Sequence, residues 1–142
     1  MNQKNGQGAE YENKKVSSWK EIYTISDGRV MYPRNIPKGW KLKELKVQVF
    51  GTEVGSSLAT YKNGNRYFYY VFEDCSGVDG STRVYFGEKR KKIKVVKHSE
   101  GEFYLYQGKT QLSAIGNIRK YQIHIDGDLS VKEISDLIRS IQ

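Results

Sequence analysis

The 142-residue chain has one cysteine, two prolines and two histidines, and each shortage excludes something. With Cys75 alone there is no internal disulfide framework and no multi-cysteine zinc site. Its neighbours Glu73, Asp74 and Asp79 would raise rather than lower its thiol pKa, the opposite of what a nucleophile needs. Neither His98 nor His124 has a partner at a metal-ligand spacing. In the last strand His124 and Asp126 share a face, an arrangement that reads as a surface polar contact before it reads as catalysis. Asp74, Ser76 and Asp79 do not make a calcium loop, because the twelfth position counted from Asp74 is Tyr85 and not glutamate. No catalytic residue, metal site or cofactor is expected. Long apolar runs are missing too, and nothing approaches the ~20 residues of a membrane-spanning helix.

What the chain has is positive charge, strand-forming residues and one well-marked helix. The formal net charge of +8 favours anionic surroundings through long-range attraction and counterion release. It is concentrated in "GEKRKKIKVVKH", where Lys89, Arg90, Lys91, Lys92 and Lys94 form a candidate anion-binding run. Strict alternation there predicts Ile93 and Val95 inward, with Lys92, Lys94 and Val96 on the other face. One reading is a wet strand whose lysines discourage edge-to-edge pairing; the other is a basic surface. The outward phase of the next strand carries Tyr104 and Tyr106, which could stack on bases, but no nucleic-acid-binding motif accompanies them. No sequence-specific nucleic-acid partner is therefore expected.

The leader "MNQKNGQGAEYENKK" is too polar to offset the entropy of ordering, so residues 1–17 are expected to be a disordered tether before a single domain over 18–142. "WKEIYTISDGRVMYP" reads as two short strands about an "SDG" turn, and "PRNIPKGW" as punctuation. "LKELKVQVF" alternates with a period of two, and "SLATYKNGNRYFYYVFE" is a hairpin about Asn63-Gly64. "RYFYYVF" is apolar on both faces and belongs near the centre of a sheet. "TRVYF", "KIKVVKH", "EFYLYQ", "TQLSAI" and "KYQIHID" continue as an antiparallel meander, since the connections are too short for crossovers.

Only the end changes period. "LSVKEISDLIRSIQ" sets Ile134, Leu137, Ile138 and Ile141 on one helical stripe. Ser130 and Glu133 have capping-box spacing, with Leu129 and Ile134 placed as a hydrophobic staple. The stripe is expected to cover the sheet face bearing Val47, Val49, Tyr121, Ile123 and Ile125. The fold class is α+β: an antiparallel sheet of about six or more strands with a C-terminal helix packed on one face.

Two stretches carry a resemblance. "NIPKGWKLKELKV" is similar to the Pro-Gly-aromatic opening of small bacterial domains, and "YQIHIDGDLSVKEISDLIRSI" to their final strand, acidic turn and closing helix. Such domains form a domain-of-unknown-function family at the outer ends of membrane-anchored Gram-positive proteins, distantly like the C-terminal domain of MucB/RseB-type sigma-regulator proteins. The resemblance spans roughly Ile36 to Ile141 and brings no catalytic residues. It implies a non-enzymatic extracytoplasmic interaction or sensing domain, with a membrane tether upstream of Met1 and a protein or anionic cell-envelope polymer as partner. A basic nucleic-acid-binding module and a small hydrolase are the alternatives.

Overall fold

The computed structural model describes residues 12–74 and 90–142. Eight strands form one antiparallel sheet: β1 Glu12–Val16, β2 Lys41–Phe50, β3 Glu53–Asn63, β4 Arg66–Asp74, β5 Lys91–His98, β6 Gly101–Gln107, β7 Leu112–Ile118 and β8 Tyr121–Gly127. Their spatial order is β1-β2-β3-β4-β8-β7-β6-β5, so β4 and β8 meet at the centre and β1 and β5 are the edges. Two helices, α1 Trp19–Ile25 and α2 Val131–Arg139, complete the architecture. The sheet with its C-terminal helix is the expected α+β arrangement, and Asn63-Gly64 does turn the chain between β3 and β4, with Gly64 at φ 63°.

One sheet face carries the core. Leu45, Val47, Tyr61, Phe68, Tyr70, Phe72, Phe103, Leu105, Ile123 and Ile125 are buried on it, and so is the helical stripe Ile134, Leu137, Ile138 and Ile141. The helix begins where the sequence marks it: Ser130 Oγ accepts from the Glu133 amide at 3.1 Å, and Glu133 Oε1 accepts from the Ser130 amide at 2.9 Å. At its end, Pro33 bridges Ile141, and Tyr32 and Gln142 exchange backbone hydrogen bonds of 3.2 Å. The segment before β2 is thereby tied to the last turn.

Three expectations need correction. Residues 12–16 of the expected tether are a strand, because Glu12–Val16 pairs with β2 from Glu12↔Val49 to Val16↔Leu45; residues 1–11 lie outside the described residues. A polar strand lacks a hydrophobic signature, but at an edge it needs only one neighbour and Val16 to anchor it. Nor is "WKEIYTI" a strand. Ser18 caps it by accepting from the Glu21 amide, and Trp19 and Ile22, three apart, are buried. The Ser18-x-x-Glu21 spacing is the local helix signal, and the aromatic and β-branched content of the segment masks it in the sequence.

The third correction is the phase of β5. Ile93 and Val95 are exposed, whereas Val96 is buried opposite Phe103. A bulge between Lys92 and Lys94 inserts one extra residue and reverses the alternation that follows. The Val95-Val96 doublet fits either phase, so only the partner strand decides.

Aromatic rings fix the covered side. Trp19 Nε1 donates to Tyr61 Oη at 2.8 Å, and Tyr70 Oη donates to the Met31 carbonyl at 2.7 Å. Burial pushes the Tyr61 phenol up to about 12, so it stays neutral and accepts from the indole. Trp40 packs edge-on against Phe68 and donates through Nε1 to Glu133 Oε2 at 3.0 Å. Arg66 joins this corner, 3.2 Å from Glu133 Oε1.

Burial of the Glu133 carboxyl opposes ionisation, but the Ser130 amide, the Trp40 indole and Arg66 together outweigh it and hold the pKa below the ordinary glutamate value. A depressed folded-state pKa contributes stability above the unfolded value of about 4.3, and that stability is lost as pH falls through the lower folded value. Glu133→Gln is therefore expected to be less stable than wild type at pH 7, with the gap narrowing on acidification below about pH 4. Urea midpoints measured across this range check it, and a gap that widens in acid would remove the carboxylate from this role.

Candidate open-face site

The second face of the sheet is built by the complementary residues. Across its middle, the register aligns Lys46, Leu58, Val71, His124, Ile115, Tyr104 and Val95 in one row. The next row is Thr60, Tyr69, Asp126, Ser113, Tyr106 and Lys92. Side chains two apart on one strand share a face, so "RYFYYVF" sends Phe68, Tyr70 and Phe72 to the core and leaves Tyr69 and Val71 here. Leu58, Tyr69, Ile93, Val95 and Tyr104 are exposed, and among the described residues no helix lies over them. Toward β1 the face dips into a shallow depression of about 470 Å³, whose lining includes Lys15, Lys46, Leu58, Val71 and Glu73.

The basic run is dispersed by this geometry. Lys89 lies outside the described residues, as do Cys75 and "TRVYF". Arg90 has a side chain only 10% exposed, held against Ser113 Oγ and 3.3 Å from Asp126 Oδ1. Ser113 Oγ in turn donates to Asp126 at 2.7 Å. Arg90 is thus part of a polar cluster on the open face and is not presented to solvent. Lys91 pairs with Gln107 and Lys94 with Leu105, on the covered side of the edge; Lys92 pairs with Tyr106 on the open side. The ammonium of Lys92 sits 4.9 Å from the centroid of the Tyr104 ring, a cation–π contact.

His124 and Asp126 do share the open face. Burial lowers the His124 pKa, against the pull of Asp126, so its ring is neutral at pH 7. Asp126 is engaged by Ser113 and Arg90. Asp74, considered above for calcium, pairs with Lys120 at 3.2 Å. Among the described residues no group of three or more His, Cys, Asp or Glu is placed to hold a metal ion, and no helix is long and apolar enough to cross a membrane.

The face offers large flat contact area: exposed aliphatic and tyrosine side chains over a rigid sheet, with lysines at Lys15 and Lys46 on one side and Lys92 on the other. Such a surface binds by apolar burial and ring stacking, with charge steering the approach. Reading single strands missed its extent, because Leu58, Val71, Ile115 and Val95 become neighbours only through pairing. No curated protein and no solved structure matches the chain. Residues 30–141, which run from the segment before β2 through the closing helix, match the family described as a domain of unknown function, DUF4367, and the chain belongs to that family.

Proposed function

We propose that this is a non-enzymatic extracytoplasmic interaction or sensing domain of a membrane-anchored bacterial protein, which engages a protein or an anionic envelope polymer through the open face of its sheet. One observation carries the reading: the core occupies one side of the sheet, while Leu58, Tyr69, Val95 and Tyr104 stand exposed together on the other. Exposed apolar groups gathered on one rigid face mark interaction surfaces. The resemblance of both ends of the chain to domains held outside the membrane supports the setting.

A photo-crosslinking residue at Tyr104, compared with one at Lys132 on α2, tests the face in cells producing the full-length protein. Crosslinks to an envelope component from position 104 and none from 132 are expected. Equal labelling from both, or labelling only by cytoplasmic proteins, would sink the proposal.

The Lys92–Tyr104 contact favours a second reading, a nucleic-acid-binding module. Against it stands the dispersal of the basic run. Fluorescence anisotropy with random DNA and RNA pools is expected to show weak binding that collapses as salt rises to physiological levels, because each phosphate contact releases a counterion. Tight, salt-resistant binding abolished by Lys92→Ser with Tyr104→Ser would put the nucleic-acid module first.

A further inference from the structure

Among the described residues a second group of cations lies away from β5. A cleft of about 590 Å³ opens where the segment after α1, the β7–β8 turn and the last residue of the chain meet, and Arg29, Arg34, Arg119 and Lys120 all line it, beside Tyr23 and Tyr121. No acidic side chain is among its lining residues. We propose that this cleft is a binding site for a ligand carrying two or more phosphate groups. The site is separate from the open face and does not depend on how that face is used.

Two of the four cations are oriented by contacts other than acidic side chains. Arg29 donates through Nε to the Ser26 carbonyl at 3.0 Å and through Nη2 to Thr52 Oγ1 at 2.7 Å. Arg34 lies over the rings of Tyr32 at 4.2 Å and Tyr23 at 5.3 Å, and donates to the Gln142 main-chain oxygen at 3.3 Å. Among the described residues neither guanidinium pairs with a carboxylate side chain. Arg29 is held in place by neutral groups, Arg34 shares the terminal carboxylate of Gln142, and a stacked, oriented guanidinium loses little freedom when it takes a phosphate in two parallel hydrogen bonds.

The other two carry ion pairs: Arg119 binds Glu100 through Nε at 2.7 Å and Nη2 at 3.1 Å on the surface, and Lys120 lies 3.2 Å from Asp74, whose carboxylate is largely buried. A ligand that takes these two cations has to compete with both carboxylates, which calls for more negative charge than either carboxylate carries. Arg119 adds an independent sign. Its φ of 57° lies in the left-handed region, where glycine or asparagine would sit at lower cost in a two-residue hairpin turn. A long cationic side chain kept at a strained turn position, pointing into a basic cleft, is the pattern of a residue used for binding. Four cations that already meet the carboxylates of Glu100, Asp74 and the chain terminus are not drawn together by a further carboxylate, and a ligand of higher charge such as an oligophosphate is what they select.

Inorganic tripolyphosphate, titrated into the intact chain at physiological salt by calorimetry, tests this site. Saturable one-to-one binding is expected, weakened at least tenfold by Arg34→Gln and by Arg119→Gly, and unchanged by Lys92→Ser with Lys94→Ser. Arg119→Gly removes backbone strain, so the variant retains its thermal transition and any loss of binding is not a loss of fold. Vesicles containing cardiolipin, whose headgroup carries two phosphates, and vesicles of phosphatidylcholine alone distinguish the source of the phosphates. Binding to the former alone, displaced by tripolyphosphate, identifies lipid headgroups; tripolyphosphate binding without vesicle binding identifies a soluble ligand. Absence of tripolyphosphate binding, or binding lost only with the β5 lysines, overturns the proposal.

Discussion

Ile138→Ala is expected to cost about 2–5 kcal/mol of stability, against about 1 kcal/mol for Ser130→Ala on the same helix. Ile138 is fully buried with Ile134, Leu137 and Ile141, in the same core cluster as Val47, Ile123 and Ile125. Truncating it removes its transfer free energy and leaves a cavity that a sheet on one side and a bonded connector on the other cannot close. Ser130 is exposed, and its loss forfeits one capping bond to the Glu133 amide while Glu133 keeps its contacts with Trp40 and Arg66. Urea titrations followed by circular dichroism measure both. A Ser130→Ala variant less stable than Ile138→Ala would mean that the helix is held by its entrance and not by its apolar stripe.

A comparable loss, about 3 kcal/mol, is expected from adding a single carbon at Gly127. The residue ends β8 between two partners, Phe68 of β4 and Leu112 of β7, with φ at 154°. A Cβ there would lie 2.4 Å from the Tyr67 carbonyl oxygen and 2.5 Å from the Phe68 Cα. Both are main-chain atoms of a central strand, and Asp128 clamps that strand in place: its amide donates to the Tyr67 carbonyl at 2.9 Å and its carboxylate accepts from the Tyr67 amide at 3.2 Å. Alanine at Gly51 is the control, since its Cβ meets nothing within 4 Å and only the φ of 63° is unfavourable; about 1 kcal/mol is expected there. Thermal unfolding of both variants separates steric from conformational cost. Equal losses would show that the β4–β8 junction yields more than its bonding implies.

Local chemistry made part of this fold legible. Ser130, Glu133 and the four-residue apolar stripe announce α2 because caps and helical periodicity are written in neighbouring residues, and Asn63-Gly64 announces its hairpin for the same reason. The phase of β5 was hidden because a bulge is a property of two strands and the sequence of one shows only Val95 beside Val96. For α1 the cap at Ser18 was visible, yet seven residues rich in aromatic and β-branched side chains favour strand in isolation, and packing of Trp19 against Tyr61 and Tyr70 overrides that preference. The candidate sites were the least legible. Arg90 looks like its lysine neighbours until Ser113 and Asp126 are brought to it, and Arg29, Arg34, Arg119 and Lys120 are scattered singly along the chain until the β7–β8 turn meets the segment after α1.

The strand order also sets how the chain reaches this state. Strands β2 to β4 and β5 to β8 are each runs of hairpins that zip outward from short turns, at low loop-closure entropy. The junction of β4 with β8, from Phe68↔Gly127 to Asp74↔Tyr121, joins residues far apart in sequence and can form only when the two ribbons collide. Because this pairing has the highest loop-closure cost, it is expected to set the folding rate, and ribbons not yet joined would expose the aromatic faces of both central strands. A mutation within either ribbon that weakens a turn slows folding, whereas one at the junction mainly speeds unfolding if contacts there form after the transition state. Until that junction closes, β4 is paired with β3 alone and leaves an open edge of "RYFYYVF" with no charge after Arg66, the kind of edge that recruits other chains during synthesis.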